Sequence, residues 1–293
     1  MGAAALEPFM RRWGLTLDGP PPEQRYMGAT PTGAVAFVRR GGERLVLKLL
    51  TTDQDEARTA GVLAHWDGLG AVRLVEADPG AVLMERALPG VDLVSVMDRN
   101  GDDAATLIAC EVMERLNRPA PAGSGFRSIS DWGRGFARNR PKALALGFPA
   151  ELIDQGEAVF FELEASQVEP ILLHGDFHHR NILLDADRGW LAIDPKGILG
   201  EPAYEPGGYL RNPNDRMEFC ARAEVIERRA RLVSERLGYD FGRIVGWCFA
   251  QWVLSDLWAI EDGMTYQPDW LDGPRAARTL LQASPCGAAA QRR

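Results

Sequence analysis

The chain's alternation of apolar and polar residues changes character about a third of the way along. From about Arg25 to Leu50 the pattern is that of strands: "TPTGAVAFVRR", then "GG" at 41–42, then "RLVLKLL". Paired glycines between two such runs signal a tight hairpin. "TTDQDEARTAGVLAHWDG" then sets the capping residues Thr52 and Asp53 ahead of Ala57, Ala60, Leu63 and Ala64, which follow helical spacing, and Gly68 stops the helix. "AVRLVEAD", the turn "PG" and "AVLMERA" make a second hairpin. These elements predict a small antiparallel sheet with one inserted helix over residues 1–87.

After "ALPG" the periodicity becomes helical, over about 102–118, 128–139, 149–166, 215–238 and 241–262. Only "PILLH", "NILLD" and "WLAID" read as strands among them. The layout is α+β in two lobes, 1–87 and 88–293, joined near Glu85 to Gly90. The most apolar run, "IVGWCFAQWVLSDLWAI", is interrupted by Gln251 and Asp256, so it predicts a core helix and not a membrane span.

Composition narrows the class. With 46% hydrophobic and 25% charged residues in 293, the chain is long enough to bury a large core. Its net charge of −8 and pI near 5.2 argue against a nucleic-acid partner and would tolerate a cationic ligand. The four cysteines form no CxxC pair. The start "MGAAALEPFMRRWG" carries no signal-peptide core, and a cytoplasmic protein is expected.

The candidate chemistry centres on "HGDFHHRN" at 174–181, where three of the four histidines lie. Two chemistries suit a polar loop between apolar runs: a metal site and phosphoryl transfer. Asp176 and Asn181 have four residues between them, the spacing of the kinase catalytic loop. There the carboxylate accepts the proton of the attacking hydroxyl and the amide holds a metal ion on the phosphates. Asp194, thirteen residues beyond Asn181, offers a second oxygen ligand for Mg²⁺. Lys48 sits in a strand apolar on both sides, where a lysine needs a partner. A kinase-type site uses such a lysine on the α- and β-phosphates, braced by a glutamate. Glu56 is the only glutamate between Lys48 and Glu76, and Asp53-x-x-Glu56 equally fits a capping box. "GATPTGA", with Gly28 and Gly33 at its ends, is the nearest approach to a phosphate-covering turn.

A zinc site on His174, His178 and His179 is the metal alternative. It needs a helix to bring such residues to one face, and Gly175 between strand runs opposes that. These histidines are expected to hydrogen-bond backbone around Asp176.

With these residues in place, the chain resembles the aminoglycoside phosphotransferase family, which has a protein-kinase-like fold. "HGDFHHRN" matches that family's HGDxHxxN motif, and "IDPKG" its metal-binding segment. "HWDGLGAVRLVEAD", "VLMERALPG", "IDPKGILGEPAYE", "YLRNP" and "LWAIEDG" are similar to the streptomycin 6-phosphotransferase and hydroxyurea phosphotransferase branch. The resemblance implies Asp176 as catalytic base, Asn181 and Asp194 as Mg²⁺ ligands, and Lys48 with Glu56 on the triphosphate. It also implies that the backbone of Glu85 and Ala87 binds adenine, with Met84 as an apolar wall. Glu201 and Glu205 stand where the branch usually has aspartate. Asp256, Glu261 and Asp262 are the acidic candidates for the acceptor pocket.

The expected activity is therefore ATP-dependent phosphorylation of a small-molecule hydroxyl, with streptomycin, hydroxyurea or another metabolite as acceptor. A nucleotide-binding sensor without turnover is the non-enzymatic alternative; Lys48, Asp176, Asn181 and Asp194 together speak against it.

Overall fold

Two hairpins, β2–β3 and β4–β5, supply most of the first sheet. Its strands are β1 (Thr16–Leu17), β2 (Val35–Arg40), β3 (Glu43–Leu49), β4 (Leu74–Asp78) and β5 (Ala81–Glu85), all antiparallel in the order β1-β2-β3-β5-β4. The computed structural model describes residues 3–19, 34–50, 58–120, 123 and 125–284.

Strand alternation gives this sheet two different faces. Ala36, Val38, Leu45, Leu47, Leu49, Ala81 and Leu83 form one buried cluster with Leu6, which comes from the helix Ala3–Arg12. Each buried Leu or Val there contributes about 1.5–3 kcal/mol. The register sets Lys48 opposite Val35 and Val82, and Val46 opposite Phe37 and Met84. Those six side chains therefore share the other face.

By packing, the first unit is Met1–Val91 together with Ile182–Gly197. The later segment is a hairpin, β9 (Ile182–Asp185) with β10 (Gly189–Ala192), and β9 also pairs with β6 (Pro89–Asp92). Asp185 ties it down. Its Oδ1 accepts from Asp187 N (3.1 Å) and Arg188 N (3.0 Å), and its Oδ2 accepts from Leu88 N (3.1 Å). Val72 N also donates to Ala192 O at 3.0 Å. Strand pairing, being non-local, thus joins segments far apart in the chain.

The second unit, Asp92–Asn181 with Ile198–Arg293, is mainly helical. Its helix Phe241–Glu261 is apolar nearly all round, as a fully surrounded helix must be. It packs against Ile129–Ala145, Ala150–Ala165, Glu205–Leu210 and Asp272–Ala283. Glycine permits the closest approaches: a Cβ on Gly135 would lie 2.7 Å from Trp258 Nε1, and one on Gly207 2.6 Å from Gln251 Nε2. A small sheet of β7 (Arg127–Ser128), β11 (Ile198–Gly200) and β8 (Ile171–Leu173) carries the polar loop at the end of β8. Among the described residues no helix is long and apolar enough to cross a membrane.

Three helical expectations change. The helix at 128–139 continues to Ala145 through Pro141, whose missing N–H removes a single hydrogen bond while Ala143 stays buried. The pattern at 215–238 divides into Met217–Cys220 and Ala223–Leu237. The first inserted helix is described only from Thr59 to Trp66.

Candidate functional site

Lys48 is 5% exposed, and its Nζ donates to Asp194 Oδ1 within the first unit. Burial of an ammonium is costly unless it is paired, so the carboxylate explains how β3 tolerates it. Asp194 lies just past β10 with φ +59°, in the left-handed region that Asp tolerates better than most residues. Thr59 Oγ1, fully buried, donates to Pro195 O at 3.2 Å and so anchors the chain next to Asp194. Met84 is 6% exposed on the same face as Lys48. Glu85 N donates to Arg73 O at 3.0 Å. Glu56, Gly28 and Gly33 lie outside the described residues.

In the second unit, "HGDFHHRN" leaves β8 through Gly175 at φ +81°, a value that favours glycine. Its backbone is gripped by Glu205. His174 N donates to Glu205 Oε2 at 2.5 Å and Gly175 N to Oε1 at 3.1 Å. Burial in the first place, and also the neighbouring Asp176 charge, push the Glu205 carboxyl up to about 7, against the pull of the two amides. Asp176 N donates to His174 Nδ1 at 3.2 Å.

Asp176 itself stays open, with its side chain 37% exposed. Asn181 Nδ2 donates to its carbonyl (2.9 Å) and to Oδ2 (3.2 Å), while His178 Nε2 stands 3.6 Å from Oδ1. The same Asn181 nitrogen stands 3.3 Å from His178 Nε2. His178 Nδ1 accepts from Arg180 N at 3.3 Å, and His179 is buried and stacked on Tyr209. Burial, then Arg229, holds the His179 imidazole well below its usual range. The histidines thus turn to separate partners, and no cluster of three or more His, Cys, Asp or Glu suited to a metal occurs among the described residues. Asn181, in the second unit, and Asp194, in the first, each carry a hard oxygen donor of the kind that Mg²⁺ takes.

The five acceptor candidates separate. Glu201, 1% exposed, accepts from Arg243 Nε at 2.7 Å and from Trp247 Nε1, so its carboxylate is bound within the core. Glu205 holds the loop backbone. These two face protein groups, a distinction that carboxylate positions in a sequence do not carry. Glu261 forms a two-pronged pair with Arg138 at 2.8 Å and accepts from Asn139 Nδ2 at 3.0 Å. Asp262 is exposed at the helix end. Asp256 differs from all of them: its Oδ2 is buried without a hydrogen-bond partner, and burial, only partly offset by Arg211, holds its carboxyl well above the usual range.

A sheet-bearing unit with a buried lysine–aspartate pair, and a helical unit with an aspartate–asparagine loop, define a kinase-like phosphotransferase. Solved structures share the fold. An aminoglycoside phosphotransferase in a ternary complex with ADP and hygromycin B matches 97% of this chain and 99% of its own, at TM-score 0.65 and 15% identity. The choline kinase LicA of Streptococcus pneumoniae matches 96% of this chain and 98% of its own, at 0.57 and 14%.

Residues 13–263 match the aminoglycoside/hydroxyurea antibiotic resistance kinases, and the chain belongs to that family. It is similar to a streptomycin 6-kinase of Streptomyces glaucescens, 33% identical over 96% of this chain and 88% of the relative. A streptomycin 3''-kinase of Klebsiella pneumoniae is 32% identical over 87% of this chain and 92% of the relative. A hydroxyurea phosphotransferase of Kitasatospora aureofaciens is 32% identical over 89% and 74%.

Proposed function

We propose that the protein transfers the γ-phosphoryl group of ATP to a hydroxyl of streptomycin, at the 6 position. The observation that carries the reading is the loop geometry: Asp176 is open to an acceptor, flanked by Asn181 and His178, while Glu205 fixes the backbone beneath it. Asp176 accepts the acceptor hydroxyl's proton as the new O–P bond forms and the bond to the ADP oxygen breaks. In a loose transition state such a base works chiefly by orientation. Lys48 holds the α- and β-phosphates. Met84 supplies the apolar wall, and the Glu85 carbonyl with the Ala87 N–H complements adenine's donor and acceptor edge. Asn181 and Asp194 hold Mg²⁺, which neutralises phosphate charge when bound. Glu56, Gly28 and Gly33 are assigned to the nucleotide site as well, on the family resemblance alone. Residues 1–87 thus serve mainly nucleotide and 88–293 catalysis and the acceptor.

Asp256, whose buried Oδ2 has no hydrogen-bond partner, is the acidic group nearest to an acceptor role, and the net charge of −8 favours a cationic ligand. Hydroxyurea is the second reading, favoured by the relative that bears that name.

ADP release with streptomycin, other aminocyclitols, hydroxyurea and simple sugars, followed by NMR location of the phosphate, tests the acceptor. Turnover of streptomycin at the 6-hydroxyl is expected; turnover confined to hydroxyurea or sugars overturns the assignment. Lys48→Met is expected to raise the KM for ATP about tenfold or more, because a desolvated charge contact to phosphate is lost. Initial-rate kinetics decide: an unchanged KM removes Lys48 from the nucleotide site.

A further inference from the structure

Beneath the loop lies a buried polar cluster that the reaction itself does not use. Arg229, in the helix Ala223–Leu237, is 0% exposed. Its Nε and Nη2 donate to Asp102 at 2.6–3.0 Å, and its Nη1 to the carbonyls of Leu210 (3.0 Å) and Asn212 (2.6 Å). Nη2 also stands 3.5 Å from His179 Nε2. A guanidinium only donates, so that nitrogen presents its lone pair and the ring is neutral. The imidazole lies flat on Tyr209, with centroids 4.2 Å apart and planes at 14°. Tyr209 is fixed in turn, its hydroxyl 3.3 Å from Thr106 Oγ1.

His179 opens a one-turn 3-10 segment, His179–Asn181. At that turn's end Asn181 N donates to His178 O at 2.9 Å. One turn has little stability of its own, so what holds His179 adds to the Asn181 amide's own bonds to Asp176 in fixing where that amide sits.

We propose that Arg229, with Asp102 as its counter-ion, is a positioning residue for the metal-binding amide. It locks His179 against Tyr209 and thereby sets the turn that aims Asn181. The inference rests on the reading of Asn181 as a Mg²⁺ ligand. A charged buried group is retained here despite its desolvation cost, which fits a demand for geometry better than one for stability.

The test is Mn²⁺ affinity of the AMP-PNP-bound protein, measured by electron paramagnetic resonance, alongside kcat and the KM for ATP. Outer-shell supports of metal ligands are typically worth 10–100-fold in affinity. His179→Ala and Arg229→Lys are each expected to weaken Mn²⁺ about tenfold and to lower kcat, with the KM for ATP within about threefold of wild type. His179→Phe, which keeps the stack on Tyr209 but loses the contact to Arg229, is expected to recover only part of the loss. Circular dichroism establishes folding, and if Arg229→Lys does not fold, the two His179 variants decide alone. Folded His179→Ala with wild-type Mn²⁺ affinity overturns the proposal, as does full wild-type affinity in His179→Phe, which lacks the Arg229 contact. Asn181→Ala separates the two readings. Loss of Mn²⁺ affinity there without loss in His179→Ala sinks only the positioning role. Unchanged affinity in Asn181→Ala sinks the metal role of Asn181 and this inference with it.

Discussion

Asp176→Asn is expected to lower kcat by about 10²–10⁴-fold while nucleotide affinity stays within about twofold, since general-base catalysis contributes on that scale. The substitution is nearly isosteric, and its amide oxygen still accepts from Asn181 Nδ2, which lies 3.2 Å from Oδ2 in the native loop. The side chain is more than one-third exposed, so little stability is at stake. What disappears is the charge that aligns the acceptor hydroxyl and takes its proton. In the proposed site ATP is held by Lys48 and the hinge, and such binding has no need of that charge. Steady-state turnover together with calorimetric titration of AMP-PNP distinguishes the outcomes. Near-normal kcat would remove Asp176 from the chemistry. A collapse of nucleotide affinity equal to the loss of rate would assign it to binding.

How much of this site is legible in sequence depends on the range of the interaction. The hairpins announce themselves through "GG" at 41–42 and "PG" at 79–80, and the β3–β5 register that brings Lys48 and Met84 to one face follows from strand period. The Asp176–Asn181 spacing is local, and so it reads directly as chemistry. The pairing of Lys48 with Asp194 spans 146 residues, and only the need of a buried ammonium for a counter-charge hints at it. Thr59 on Pro195 O leaves no trace, because a buried threonine in a helix's first turn looks like any cap. The helix Leu93–Asn100 went unread although Asp92 caps it, Oδ1 accepting from Ser95 N at 3.1 Å; its eight residues are too few to establish a period. Glu201 and Glu205 show the limit most clearly. Their acidity is plain in "GEPAYE", yet one binds a guanidinium and an indole and the other two backbone amides. Backbone amides are the same in every sequence, so a carboxylate aimed at them resembles one aimed at a ligand.

Glu205→Gln is expected to lower kcat about 10–100-fold and to flatten the dependence of stability on pH. Both effects come from one feature, a buried carboxylate that must accept two N–H groups. The glutamine offers one acceptor and turns an NH₂ toward the second amide. A buried unsatisfied donor costs about 1–3 kcal/mol, enough to displace the backbone at Gly175 and with it Asp176. The stability effect has a definite sign. The carboxyl rises from its ordinary 4.5 to about 7 in the folded protein, so between these values the native state binds more protons than the unfolded chain. Its contribution is fully present below pH 4.5 and is lost as pH rises through about 7, a fall on the order of 3 kcal/mol. The neutral glutamine has no such fall. The difference between wild-type and variant denaturant midpoints, converted to free energy, should therefore shift against the wild type from pH 4.5 to 7 and level off above that. Catalysis runs the other way, because only the ionised form grips both amides. Wild-type kcat should rise through about pH 7, and the variant should lack that limb. Parallel stability curves for the two proteins across this range would mean that Glu205 does not titrate there. A variant with undiminished kcat would mean that the loop does not depend on it. The two outcomes are independent, so the experiment separates a carboxylate that is merely buried from one that sacrifices stability at working pH to keep Asp176 in place.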